Sequence, residues 1–238
     1  MLSKYKYYLL GYIFADGCLC TSTKGYDYIQ IATVDKNMAY KIAKLTGTKV
    51  SMLKTKWKDR YTISIWHREL VDWFKDKGII KRKTGKEIYP EVELEYLSHF
   101  IRGYMDGDGM ITIFKNLLLS GFACANKEFL LNLRRDLSYH AGISKDSGTL
   151  LKENDAECFK LRYAIKNTIR LCRYIYQDAD IFMERKKNNY LTYIRDIAPQ
   201  RLCVQGRSGN RWVKIKSELY SDVEKVPEEE LQYLRKVL

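Results

Sequence analysis

The sequence has no C-x-x-C pair, no clustering of its three histidines and no apolar run long enough to cross a bilayer. Each absence closes a class of function. Cys18, Cys20, Cys124, Cys158, Cys172 and Cys203 are scattered, and His67, His99 and His140 lie apart from them, so a zinc site is unsupported. A disulfide framework is not expected in a chain of 238 residues, so the thiols read as reduced and the protein as intracellular. The stretch MLSKYKYYLLGYIF is too short to span a membrane, and no signal-cleavage pattern follows it. A splicing pair of N-terminal Cys or Ser with a terminal His-Asn is also missing, which disfavours self-splicing by the protein. Acid is in short supply as well. Lys and Arg total 42 against 29 Asp and Glu, a net charge of +13 that is spread along the chain. Such a surface suits a polyanion, most often nucleic acid. With 46% hydrophobic residues there is enough apolar material for a real core of one or two domains.

What is present is a repeat. LLGYIFADG at 9–17 aligns with IRGYMDGDG at 101–109, matching Gly11 with Gly103, Tyr12 with Tyr104, Asp16 with Asp108 and Gly17 with Gly109. The offset is a constant 92 residues, as from 16 to 108. After each motif the pattern reads strand, strand, amphipathic helix, strand, strand, helix. The expected fold is therefore α+β, a tandem pseudo-twofold repeat of αββαββα units with two antiparallel sheets. The expected limits are 1–97 for the first half, 98–197 for the second and 198–238 for a basic C-terminal extension. In that extension PQRLCVQGRSGNRWVKIK suggests a short hairpin and EKVPEEELQYLRKVL a helix with Pro227 near its first turn.

Gly11 and Ala15 lie four residues apart, as do Gly103 and Gly107. Residues at i and i+4 share one helix face, and a small-x-x-x-small face lets two helix backbones approach closely. The two motif helices are expected to cross on these residues. Gly17 and Gly109 read as left-handed glycines ending each helix. Asp16 and Asp108 then fall at the negative end of the helix dipole, a position costing roughly 0.3–1 kcal/mol. Nothing local offsets this, whereas a divalent cation held by both carboxylates would.

These two motifs, each followed by the same strand pattern, resemble the paired motifs of the LAGLIDADG homing endonucleases, over about residues 4–195. The resemblance implies a monomer whose motif helices form the interface between halves and whose sheets form a saddle on duplex DNA. It implies hydrolysis of one phosphodiester on each strand with Mg2+, for which Mn2+ can substitute, and metal ligation by Asp16 and Asp108. It also implies a basic residue near each active site. Lys83 in GIIKRKTGKEIYP and Lys186 in IFMERKKNNYL are the best matches, able to stabilise developing phosphorane charge or polarise water. The host compartment implied is the cytoplasm of a prokaryote or phage host, or an organelle. Intron homing is the implied biology, and intron RNA a second partner if the scaffold serves as a maturase. The alternative functions are that maturase-like RNA binding and a non-catalytic DNA-binding regulator. The second motif departs from the pattern at two positions. Asp106 lies ~200° around the helix from Asp108, so it reads as structural. Arg102 replaces a small residue and reads as a rim residue of the interface.

Polar residues alternate with apolar ones in the strand stretches, so one sheet face can pack on helices while the other meets DNA. Lys24, Gln30, Lys54, Lys56 and Arg60 are the candidate DNA contacts of the first half. Lys115, Asn116, Lys152, Asn154, Lys160 and Arg162 are those of the second. Because these faces differ, the target site is expected to be long and asymmetric. Phosphate contacts along it predict steeply salt-dependent binding. The nineteen tyrosines show no base-stacking signature.

Overall fold

The computed structural model describes residues 1–153 and 158–198. The chain divides into two compact units, Met1–Tyr190 and Leu191–Leu238. The first holds both repeats. Of the second, only the end of a helix and a π-turn at Tyr193–Ile197 are described. The expected tail hairpin and helix, and Asn154, lie outside the described residues.

In the first repeat the order is α1 (Ser3–Asp16), β1 (Gly17–Thr21), β2 (Asp27–Thr33), α2 (Lys36–Thr46), β3 (Val50–Leu53), β4 (Arg60–Ile65) and α3 (Arg68–Asp76). The second repeat gives α4 (Leu94–Asp108), β5 (Gly109–Phe114), β6 (Leu117–Cys124), α5 (Lys127–His140), β7 (Thr149–Lys152), β8 (Phe159–Tyr163) and α6 (Ile165–Tyr176), followed by α7 (Glu184–Thr192). The expected αββαββα order is present twice. The sheets are both four-stranded and antiparallel, ordered β1-β2-β4-β3 and β5-β6-β8-β7. The first unit, 1–190, takes in all of the half expected at 1–97 and all but the last seven residues of the half expected at 98–197.

Local signals place the elements. Asp35 caps α2, its side chain accepting from the Met38 amide at 2.9 Å, and Gly47 ends that helix in the left-handed region with φ 65°. Lys115 and Asn116 form a two-residue hairpin turn between β5 and β6, both at positive φ. Alternation then decides which sheet face is covered. Ile29, Ile31, Ile63 and Ile65 are fully buried on the helix side of the first sheet. Leu118, Phe122 and Leu161 do the same in the second. No described helix is long and apolar enough to cross a membrane.

Candidate active site at the helix crossing

α1 and α4 cross at their glycines. A Cβ built on Gly11 would collide with the Phe100 carbonyl oxygen and lie 2.7 Å from the Tyr104 nitrogen. One on Gly103 would collide with the Tyr8 carbonyl oxygen and lie 2.9 Å from the Tyr12 nitrogen. Ala15 and Gly107 meet in the same way one turn further on. All four residues expected at the interface are therefore in it, and only hydrogen fits at the two central positions. The crossing is nearly symmetric, each glycine facing the other helix's backbone at positions 92 apart.

Both motif helices run into a strand with no loop between. Here one expectation fails. Gly17 and Gly109 are extended, with φ −91° and −88°, and are not left-handed. The reason for glycine is crowding. A Cβ on Gly17 would sit 2.7 Å from the Ile13 Cα, and one on Gly109 would sit 2.6 Å from the Met105 Cα. The chain folds back on its own last helical turn as it enters the strand.

Asp16 and Asp108 thus end the two crossed helices and are both solvent-exposed. Protein atoms surround them closely enough to push both carboxyls upward, with partial desolvation the largest cause. For Asp108 the next cause is the Asp16 charge, and its pKa is pushed up to about 6. The two carboxylates are electrostatic neighbours.

The helix dipole is offset not locally but by two lysines distant in sequence. Lys83 donates to the Ala15 carbonyl at 3.0 Å. Lys186 donates to the Met105 carbonyl at 2.5 Å, the Asp106 carbonyl at 2.8 Å and the Gly107 carbonyl at 3.5 Å. Each lysine places its ammonium on the negative end of one motif helix, where a cation is favoured. Both lower the pKa of Asp16 and of Asp108 against the effect of desolvation. The structure brings together all four residues expected at the centre. Lys186 is fully buried, and burial brings its pKa down to about 8.

Arg102 is not a rim residue. It is 1% exposed, and its guanidinium donates to the Ile181 and Ile175 carbonyls, both at 2.8 Å, and bonds the His99 Nδ1 at 2.7 Å. Five fixed donors suit a cation to such a cluster of acceptors. Burial, and after it the Arg102 charge, lowers the His99 pKa to about 4. Asp106 is structural, as expected. Its Oδ2 accepts from the Tyr8 hydroxyl at 2.7 Å and from the Met183 amide at 3.0 Å. Sequence reasoning missed this clamp on the segment that carries Lys186. Its signal was a charged residue inside the apolar run FIRGYM, with a histidine one turn earlier. Arg185 and Asp35 were also missed. Together with Asp16, Lys58 and Arg60 they line a depression of about 720 Å³ beside the carboxylates.

The candidate DNA contacts sit in three kinds of place. Lys24 and Lys115 are at hairpin turns, with Asn116 beside Lys115, and Lys54 and Lys56 lie in the β3–β4 loop. Gln30, Arg60, Lys160 and Arg162 fall on the sheet faces turned away from the helices. Lys160 is ion-paired with Glu153. Lys152 takes the helix-side register, exposed at the end of β7.

Against solved structures, the chain superposes on I-DmoI in complex with its target DNA. The TM-score is 0.54 at 17% identity, covering 74% of this chain and 97% of that one. The fold is that of the LAGLIDADG homing endonucleases. I-SmaMI, a meganuclease bound to uncleavable DNA, matches with a TM-score of 0.52 at 13% identity over 91% of this chain and 97% of its own. The N-terminal LAGLIDADG domain of WhiA matches with a TM-score of 0.53 at 18% identity over 75% and 83%. No protein-family model and no curated protein sequence matches the chain.

Proposed function

We propose that this protein is a site-specific double-strand DNA endonuclease of the homing type, acting as a monomer on a long asymmetric duplex site. One observation carries the reading. Asp16 and Asp108 end two crossed helices at equivalent positions, and a lysine is bonded to each of those helix ends.

The donor set fits Mg2+ or Mn2+. The site offers hard oxygen ligands in two exposed carboxylates, the Asp16 charge raising the Asp108 pKa. Among the described residues no group of three or more His, Cys, Asp or Glu forms a closed protein cage. That suits an ion that completes its shell with water and phosphate oxygens. Asp16 and Asp108 would hold the metal. Bound there, it would supply Lewis-acid stabilisation of the phosphoryl oxygens and a more acidic water. Lys83 and Lys186 fix positive charge beside the carboxylates, where a phosphodiester gains charge on attack. Because each ammonium is tethered to a helix end, it needs no reorganisation as the reaction proceeds. The helix crossing sets the spacing of the two half-centres, hence one cut per strand.

The test is incubation with Mg2+ and a large pool of duplex fragments, with a parallel arm in EDTA. One enriched cut site, absent in EDTA, is expected. Absence of cutting, with tight salt-sensitive binding of a structured RNA, would overturn the reading in favour of a maturase-like function.

A further inference from the structure

The two sheets differ on the face turned away from the helices. In the first sheet, strand register lines up Cys18, Gln30 and Ser64, beside them Ala32, Thr62 and Ser51, and at the ends of the same face Leu53 and Tyr28, the latter stacked on Trp66. That face mixes polar and apolar side chains. In the second, the same face carries Met110, Phe114, Leu117, Leu119 and Leu151. Met110, Phe114 and Leu151 are 42%, 57% and 44% exposed, and the two β6 leucines are half-buried. A contiguous exposed apolar face marks an interaction site.

Charge indicates the occupant. Strands β5 to β8 contain no Asp or Glu, while Lys115 stands at the hairpin turn and Lys160 and Arg162 lie on the same face. The Arg162 Cγ covers Gly121. The face also continues directly from the candidate centre, since Gly109 follows Asp108 and Met110 is the first outward side chain of β5. An apolar surface flanked by Lys115, Lys160 and Arg162, with Glu153 at the end of β7 paired to Lys160, suits a polyanion that presents apolar groups. On the major-groove edge of duplex DNA the one such group is the C5 methyl of thymine.

We propose that the second repeat reads its half of the target through thymine methyl groups, and does so more than the first repeat, whose corresponding face is the more polar of the two. This rests on the endonuclease reading and names the sequence class of one half-site, a thymine-rich one.

Once a cut site is in hand, thymines are replaced by deoxyuridine in one half-site at a time. The change removes the methyl and leaves every hydrogen-bonding edge intact. Binding is measured in Ca2+ for the wild-type protein and for Phe114→Ser/Leu151→Ser, whose side chains are exposed and do not support the fold. Deoxyuridine in one half-site is expected to weaken wild-type binding by about tenfold. The double variant should bind the thymine target less well and lose most of that penalty. In the other half-site the replacement should change binding by less than about threefold. Equal penalties in wild type and variant, or no penalty in either half, would overturn the inference while specific cutting left the endonuclease reading intact. If the variant instead turns an oligomer into a monomer in sedimentation and deoxyuridine has no effect, the face is a protein interface and the inference is wrong. Failure to find any specific cut site would overturn the endonuclease reading, and the inference with it.

Discussion

The two repeats solve one problem with opposite chemistry. Each must hold the segment that follows its third helix, because that segment carries a lysine to a motif-helix end. In the first repeat the corresponding motif-helix positions are Leu10 and Phe14, both buried, with the Phe14 ring 3.7 Å from a Cβ built on Gly78 at the start of the Lys83 segment. In the second repeat the equivalent positions are Arg102 and Asp106. They bind the Ile175 and Ile181 carbonyls and the Met183 amide, immediately before Lys186. The shared centre is kept nearly symmetric while its supports diverge. A duplicated fold conserves what two halves must build together and leaves each half to pack its own scaffold. The lysines register the difference, Lys186 being fully buried and Lys83 only half-buried.

The largest effect should come from the symmetric part. Gly11→Ala and Gly103→Ala should each cost more than about 4 kcal/mol in urea denaturation, because backbone blocks the new methyl from the partner helix. Tolerance of one but not the other would break the symmetry of the crossing. Next comes transplanting the first repeat's chemistry into the second with Arg102→Leu/Asp106→Phe. Buried charges often yield to hydrophobic residues without loss. Here, however, the partners are backbone groups that would stay buried and unpaired, so a loss of about 3 kcal/mol is expected, with cleavage falling as Lys186 shifts. A gain in stability would show that the polar clamp is replaceable. Smaller again is the contrast of the lysines. Lys186→Met should cost about 1–3 kcal/mol, since three carbonyls lose a buried donor, and Lys83→Met less than about 1 kcal/mol.

The smallest effect concerns pH. The His99 pKa is lowered to about 4 in the folded state, so the unfolded chain binds the extra proton between roughly pH 6.5 and 4. Stability contributed by His99 is therefore lost as pH falls through that window. Asp106 and Asp108, both raised to about 6, act with the opposite sign. The contribution is visible only as a difference. His99→Gln should unfold less readily on acidification than wild type, by about 1–2 kcal/mol at pH 4.5 in parallel urea titrations.

The repeat, the element order and the helix crossing were legible in the sequence because they depend on short-range spacing. Four-residue glycine and alanine intervals dictate a close face, and strand alternation dictates which side is buried. The four central residues followed from the motif and its resemblance. What spacing did not show was tertiary. A glycine after a helix serves a left-handed turn or a close approach equally well, and only the packing of Ile13 and Met105 decides for the latter. A lysine far along the chain can offset a helix dipole, and an arginine in an apolar helix can meet carbonyls from a later segment. Neither appears in local sequence.

The central claim is that each repeat gives one carboxylate to a single cutting centre. It is tested most directly by placing the selected site on a supercoiled plasmid and following linear product in Mg2+ for wild type, Asp16→Asn and Asp108→Asn. Each variant is expected to keep target binding within about tenfold and to lose linearisation by at least about 100-fold. Linearisation at the wild-type rate by either variant would contradict the account.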